Sequence, residues 1–134
     1  MSKIITTIVL TLFLTTTVFA QKAGSTYINP LDTLDNKQEY LEWIAIEARN
    51  YNVSESLMLC LINHENTSWN PSLQSYANYR GNREESYGLA QIHLPAHPEI
   101  TKEQAQNPKF AISWMASEIS EGRAWQWSTL KYCK

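Results

Sequence analysis

The sequence has no excess of positive charge, few glycines and few cysteines. Its 134 residues include 11 Lys and Arg against 13 Asp and Glu, with four Gly and two Cys. Without a basic field there is little to attract a polyphosphate, so we expect no nucleic-acid partner. The low glycine content excludes a collagen-like chain, and 43% hydrophobic with 18% charged residues excludes a disordered chain or a long coiled coil. The length fits one small domain.

The sequence also lacks an apolar run long enough to span a bilayer. Residues 4–19 carry no charge, but six of them are threonine, and a membrane-spanning helix needs roughly 20 predominantly apolar residues. Lys3 before this run and the small residues Val18 and Ala20 at its end are typical of a secretory signal peptide. We predict that residues 1–20 are a signal peptide and that the mature chain is secreted or periplasmic, with no stable membrane insertion after cleavage. The alternative is a membrane anchor.

Export changes the interpretation of the two cysteines. In an oxidising compartment a pair of cysteines is usually bridged, and Cys60 and Cys133 allow only one intramolecular pairing. We therefore predict a Cys60–Cys133 disulfide that ties the C-terminus to the middle of the chain. The alternatives are two free buried thiols, or a thiol nucleophile at Cys60 with His64, one helical turn later, as its base.

Helical patterning begins well after the predicted signal peptide. Residues 21–35 are polar and lack sustained periodicity, so we interpret them as a leader that packs partly or not at all. From about Asn36, apolar residues recur at three- and four-residue steps, which predicts a helix that Asn52 can close. Ser54 is a good N-cap for a second helix, whose residues 57–62 are apolar and therefore predicted to be buried.

The rest of the chain alternates an irregular segment with two further helices. Residues 63–98 are rich in Asn, Ser, Tyr and Pro, which is typical of loops on which functional sites lie. Thr101 with Gln104 predicts the capping box of a short helix, and Asn107 followed by Pro108 starts a longer helix that Gly122 stops. We predict an all-α or mostly α (α+β) fold for residues 36–134, with an irregular loop or small hairpin region in the middle.

One acidic residue stands in an unusual place. Glu65 directly follows the most apolar helix of the mature chain. Apolar surroundings disfavour the ionised carboxylate and raise its pKa, which suits a general acid working near neutral pH. The alternative is a solvated residue at a helix end.

A second constellation lies further along, where residues 86–92 read Ser-Tyr-Gly-Leu-Ala-Gln-Ile. A glycine at Gly88 allows a ligand to approach the backbone closely, and Gln91 supplies an amide for hydrogen bonding. We predict ligand contacts from Ser86, Tyr87, Gly88 and Gln91. For Tyr87 the alternative is a ring packed beside the core.

These motifs resemble the soluble lytic transglycosylase (SLT) domains of the lysozyme-like superfamily, to which goose-type lysozymes are related. The resemblance spans residues 53–121 and rests on four features: the apolar helix ending in glutamate, the Asn70-Pro71 that follows, the Gly-Leu-Ala-Gln element, and the later helix opened by Asn107-Pro108. It implies a lysozyme-like domain that cleaves the β-1,4 bond between N-acetylmuramic acid and N-acetylglucosamine in peptidoglycan. It also implies that Glu65 is catalytic and that no metal or organic cofactor is used.

The chain departs from the family pattern at several positions. Asn66 stands where the family has Ser, and Ala90 where it has Met. The family's later Ala-Tyr-Asn element is missing, and the chain ends instead in an aromatic tail with Trp125, Trp127 and Tyr132 next to Cys133. If Cys133 pairs with the helix that ends at the glutamate, this tail crosses the base of that helix and completes the core.

The resemblance implies a mechanism in which one carboxyl acts twice. Glu65 gives its proton to the glycosidic oxygen and then, as carboxylate, takes a proton from the sugar's own 6-hydroxyl, which closes to a 1,6-anhydro product. Glu84 and Glu85 are candidates for the second carboxylate that a hydrolytic lysozyme using water needs. A third alternative is a non-catalytic peptidoglycan-binding or structural module, since an acidic protein gains no attraction to an anionic wall. We expect a monomer.

Metal binding is not expected from the histidines. A zincin motif starting at His64 needs a second histidine four residues later, where Ser68 stands. His93 and His97 are four residues apart, but Pro95 between them spoils a shared helical face.

Overall fold

The computed structural model describes residues 30–133, without the side chains of residues 30–35 and of Tyr79. The predicted signal peptide and residues 21–29 of the predicted leader lie outside the described residues.

The first helix, α1, spans Pro30–Asn50, so it begins earlier than the Asn36 expected from the sequence. The last part of the predicted leader, residues 30–35, is therefore helical and not irregular. Proline is favoured in a first helical turn, because its missing N–H is not needed there. The helix buries Tyr40, Ile44 and Ala48.

The connection from α1 to the next helix is a tight left-handed cap. Asn52 has a φ of 54°, as a residue that closes a helix requires. The N–H of Val53 donates to the carbonyl of Ala48 at 2.9 Å, which satisfies one of the free carbonyls at the helix end.

The second helix, α2, spans Glu55–Glu65 and packs against α1. Ser54 is its N-cap, as predicted, and its hydroxyl accepts a hydrogen bond from the N–H of Leu57 at 3.2 Å. Met58, Leu61 and Ile62 are fully buried. These buried side chains hold the helix in place, and with it the position of its last residue, Glu65.

Two small antiparallel hairpins occupy the middle of the chain, where a loop or hairpin region was predicted. Strands β1 (Asn78–Tyr79) and β2 (Asn82–Arg83) form the first, and β3 (Ser86–Tyr87) and β4 (Ile92–His93) form the second. Gly81, at a φ of 84°, makes the turn of the first hairpin.

Two further helices close the core from the C-terminal side. Helix α3 (Lys102–Gln106) has the predicted capping box between Thr101 and Gln104, and α4 (Pro108–Ser120) has Asn107 as its N-cap. Helix α4 packs against α1, and its buried face is made of Ala111, Ile112, Met115 and Ala116. The prediction of a mostly helical fold is thus confirmed.

The predicted disulfide is confirmed. Cys60 and Cys133 are bonded across a sequence separation of 73, with their Cα atoms 5.6 Å apart. The bond holds the short 3-10 helix Ser128–Tyr132 against α2. Trp127 immediately precedes this 3-10 helix. Its side chain is buried, and its indole N–H donates to the carbonyl of Ala90 at 2.9 Å.

Among residues 30–133, none of the helices combines the length and the apolar character that a bilayer-spanning segment requires.

Candidate active site

An open cleft of about 790 Å³ lies beside the end of α2. Its lining comes from the last residue of α2, the hairpin region, the segment around residues 96–99, helix α4, and the tail that follows α4. The polar and aromatic side chains in this lining include Glu65, Tyr76, Glu84, Ser86, Gln91, Glu118, Arg123 and Trp125.

Glu65 lies in the wall of this cleft with its carboxyl half-buried. Burial is the largest influence on the carboxyl and raises its pKa above the ordinary value for glutamic acid. The negative charge of Glu84 raises the pKa further, while a hydrogen bond from Thr129 and the neighbouring His64 act in the opposite direction. Because the shift is upward overall, Glu65 holds its proton to higher pH than a solvated glutamate does.

The hydrogen-bond partner of Glu65 comes from the tail. The hydroxyl of Thr129 donates to Oε1 of Glu65 at 2.6 Å. This contact joins residues 64 positions apart in the sequence.

Asn66, which follows Glu65, holds the loop beyond α2 by hydrogen bonds. It is buried, and its amide nitrogen donates to the carbonyls of Asn70 at 2.7 Å and Gly88 at 3.0 Å. Its Oδ1 accepts from the hydroxyl of Ser68 at 2.8 Å. Because its side-chain amide binds the backbone of both Asn70 and Gly88, Asn66 fixes the path of the chain after Glu65.

Glu84 is the second carboxylate of the cleft. The hydroxyl of Ser75 donates to its Oε2 at 2.7 Å, and Nδ1 of His93 lies 3.7 Å from its Oε1. Glu85, the other candidate from the sequence, is exposed and is not among the residues that line the cleft. Of the two, only Glu84 is therefore placed to act with Glu65.

Glu118 also lines the cleft, but it is engaged elsewhere. Arg123 donates to both of its carboxylate oxygens, and Gln126 donates to Oε2 at 3.0 Å. The hydrogen bonds from Arg123 are the main cause of a lowered pKa at Glu118. This carboxylate therefore stays charged and anchors the start of the tail on α4.

Ser86 and Gln91, for which the sequence predicts ligand contacts, both line the cleft. Ser86 is buried, and its hydroxyl shares a hydrogen bond of 3.2 Å with Nδ1 of His93. The amide nitrogen of Gln91 donates to the carbonyl of Gly88 at 2.8 Å. Both hydrogen bonds of Gln91 to described residues use this nitrogen, the second reaching the carbonyl of Leu73 at 3.4 Å.

Tyr87 and Gly88, in contrast, are not among the residues that line the cleft, so the structure does not support ligand contacts from them. Tyr87 belongs to the hydrophobic core, and the amine of Lys102 lies 4.8 Å from its ring centroid. A Cβ atom at Gly88 would lie 1.9 Å from the carbonyl oxygen of Ala105. The glycine is therefore needed for close packing of the second hairpin against α3, and the Tyr87 ring is part of the core.

Two exposed aromatic rings line the cleft. Tyr76 is 79% exposed and Trp125 is 73% exposed. The guanidinium of Arg83 lies 5.1 Å from the Tyr76 ring centroid, and its Nε donates to the carbonyl of Ser75 at 2.6 Å. Large exposed rings in a cleft are typical of a surface that binds a partly apolar ligand.

The alternatives that involved a free thiol are excluded by the disulfide. The sulfur atoms of Cys60 and Cys133 and a ring nitrogen of His64 lie within 4.8 Å of one another, but bonded cysteines are neither thiolate ligands nor nucleophiles. His93 and His97 have different hydrogen-bond partners. His93 pairs with Ser86, and His97 shares a 3.1 Å hydrogen bond with Gln126.

Thr129 was missed by sequence reasoning, although a signal for it existed. Thr129 lies four residues before Cys133, and Glu65 lies five residues after Cys60. A disulfide between those cysteines brings the two residues to the same level along α2, provided that the tail runs antiparallel to the helix.

Comparison of the chain with protein-family models, with curated proteins and with solved structures found no match in any of the three.

Proposed function

We propose that the protein cleaves the β-1,4 bond between N-acetylmuramic acid and N-acetylglucosamine in peptidoglycan, with Glu65 as acid and then base. The observation that carries this proposal is a half-buried carboxyl in the wall of an open cleft, with its pKa raised by burial. A general acid for glycosidic cleavage must hold a proton at working pH and also reach the substrate. Burial of Glu65 favours the first condition, and its place in the wall of the cleft favours the second.

The reaction balances without water. The Glu65 proton passes to the glycosidic oxygen as the bond from that oxygen to C1 of the muramic acid breaks, which leaves an oxocarbenium-like centre. The Glu65 carboxylate then removes the proton of the 6-hydroxyl, and this oxygen bonds to C1. The products are a free sugar hydroxyl and a 1,6-anhydro ring, and the protonated carboxyl is restored.

The cleft suits a glycan in shape and lining. Its volume of about 790 Å³ lies within the range of ligand sites in proteins. The exposed rings of Tyr76 and Trp125 provide flat surfaces for sugar rings, and Ser86 and Gln91 provide polar groups. This combination supports a carbohydrate ligand over a fully apolar one.

A hydrolytic lysozyme reaction is the second candidate, because Glu84 shares the cleft with Glu65 and raises its pKa. In that reaction Glu84 activates a water molecule, and the product carries a reducing end. Glu84→Gln separates the two candidates. Under transglycosylation the variant keeps its activity, and the alkaline limb of its pH profile moves to lower pH, because a negative charge near Glu65 has been removed. Under hydrolysis the variant is inactive.

We also propose that the protein is exported and acts as a monomer. The disulfide supports an oxidising compartment, either outside the cell or in a periplasm. In such a compartment the partner is the glycan strand of the wall, and we propose that the protein acts as a monomer.

The experiment is digestion of purified peptidoglycan sacculi by wild type and by Glu65→Gln, followed by mass spectrometry of the released fragments. The substitution is nearly isosteric and removes only the transferable proton, so we expect folding and glycan binding to persist while cleavage is lost. Glu85→Gln is the matched control, because it changes an exposed carboxylate outside the cleft lining. Retained binding with no cleavage by wild type at any pH from acid to neutral would favour the non-catalytic module instead.

A further inference from the structure

The tail that follows α4 reaches the candidate catalytic carboxyl through one side chain. Thr129 lies in the 3-10 helix Ser128–Tyr132, and its hydroxyl donates to Oε1 of Glu65 at 2.6 Å. A hydroxyl that donates to one carboxyl oxygen leaves the other oxygen to carry the acid proton. The contact therefore distinguishes two oxygens that are otherwise equivalent.

The tail is held in place on both sides of this contact. On the N-terminal side, Trp127 is buried and donates to the carbonyl of Ala90 at 2.9 Å. On the C-terminal side, Cys133 is bonded to Cys60 of α2. With both ends fixed, Thr129 has little freedom to leave Glu65.

We propose that Thr129 is a positioning residue, whose hydroxyl fixes the Glu65 carboxyl so that its transferable proton lies on Oε2. The inference rests on the proposed function, because it assigns Thr129 a part in the same reaction. Thr129 need not touch the substrate, and it acts through Glu65.

Charged groups around Glu65 and the hydroxyl of Thr129 act together on the pKa of the Glu65 carboxyl. Glu84, which also lines the cleft, favours the protonated form, and His64 on the same helix favours the carboxylate. The hydrogen bond from Thr129 also favours the carboxylate and lowers the pKa against the larger effect of burial. The other titratable groups that line the cleft are Tyr76, His93, His97, Glu99, Glu118 and Arg123.

Two substitutions separate a positioning role from simple packing. Thr129→Val keeps the shape of the side chain and removes the hydroxyl, whereas Thr129→Ser keeps the hydroxyl and removes the methyl group. We expect Thr129→Val to lower kcat on peptidoglycan about tenfold with little change in KM, as suits the loss of a hydrogen bond to a charged group. The alkaline limb of the pH–rate profile of Thr129→Val should move to higher pH, because a hydrogen bond that lowers the pKa of Glu65 is lost. Thr129→Ser should keep both the rate and the pH profile of the wild type.

A second readout does not need activity. Carboxyl NMR titration reports the pKa of Glu65 directly, and we expect the midpoint to rise in Thr129→Val and to stay unchanged in Thr129→Ser. Melting temperatures of both variants, together with the amide spectrum, establish that each is folded.

The outcomes distinguish the positioning role of Thr129 from the proposed cleavage of peptidoglycan. A wild type that cleaves no peptidoglycan would overturn the proposed function, while the titration would still test the contact with Thr129. Equal rates and equal Glu65 titrations in wild type and Thr129→Val would overturn the positioning role. A Thr129→Ser variant as impaired as Thr129→Val would also overturn it, because the methyl group would then be the part that matters.

Discussion

Removal of the disulfide is the perturbation whose magnitude follows most directly from the structure. The Cys60–Cys133 bond closes a loop with a sequence separation of 73. In the chain-entropy treatment, a cross-link over such a loop stabilises the folded protein by roughly 4 kcal/mol, because it restricts the unfolded chain. For a domain of this size, that loss in the free energy of unfolding corresponds to a fall in melting temperature of roughly 15 °C.

The assay is thermal unfolding followed by circular dichroism, with the double variant Cys60→Ser/Cys133→Ser compared with oxidised wild type. Serine replaces both sulfurs, so no unpaired thiol remains to form new bonds. Reduced wild type should melt close to the double variant, and addition of a reducing agent should leave the double variant unchanged.

The reasoning would be refuted if the double variant melted within about 2 °C of oxidised wild type. Thiol titration of the denatured, unreduced protein provides a separate check on the bond itself. Two free thiols per chain in that titration would contradict the disulfide.

Three further predictions concern the cleft and its support. Gly88→Ala should lower the free energy of unfolding by about 3 kcal/mol or more, because the new Cβ would lie 1.9 Å from the Ala105 carbonyl oxygen and the φ of 80° disfavours a side chain. Gln91→Ala should lower it by about 1 kcal/mol, since the hydrogen bond from the side-chain amide to the Gly88 carbonyl is lost, and should also weaken turnover. Trp125→Ala should leave the melting temperature unchanged and raise the Kd for muropeptide oligosaccharides roughly tenfold, whereas Tyr51→Ala, an exposed aromatic outside the cleft lining, should change neither.

Chemical denaturation and calorimetric titration with oligosaccharides provide these measurements. Gly88→Ala with wild-type stability would contradict the close approach of the second hairpin to α3. Unchanged turnover in Gln91→Ala would reassign that residue to a purely structural role, and unchanged affinity in Trp125→Ala would remove the ring from the glycan surface.

Local features of the fold were predictable because each depends on a few neighbouring residues. Ser54, Asn107 and the capping box of Thr101 with Gln104 mark helix starts by side chains that bind backbone N–H groups within three residues. The start of α1 was wrong in the sequence analysis, because its first turns are polar and carry little apolar periodicity. Pro30 was the available signal.

The site was predictable only in part, since its contacts join distant residues. Glu65 and Gln91 were found by position and by resemblance, and both line the cleft. The direction of Tyr87 depends on which face of a two-residue strand meets the core, and so short a strand offers no alternation to read. The contact of Thr129 with Glu65 depends on the path of the tail, which only the packed structure defines.

The central claim is that the Glu65 carboxyl drives cleavage of the glycan strand, and product analysis tests it most directly. Purified sacculi are incubated with wild type and with Glu65→Gln, and the released muropeptides are analysed by mass spectrometry. We predict that wild type releases fragments with a 1,6-anhydro end, each lighter by one water than the hydrolytic product, and that Glu65→Gln releases none. Fragments released equally by both proteins would contradict the claim.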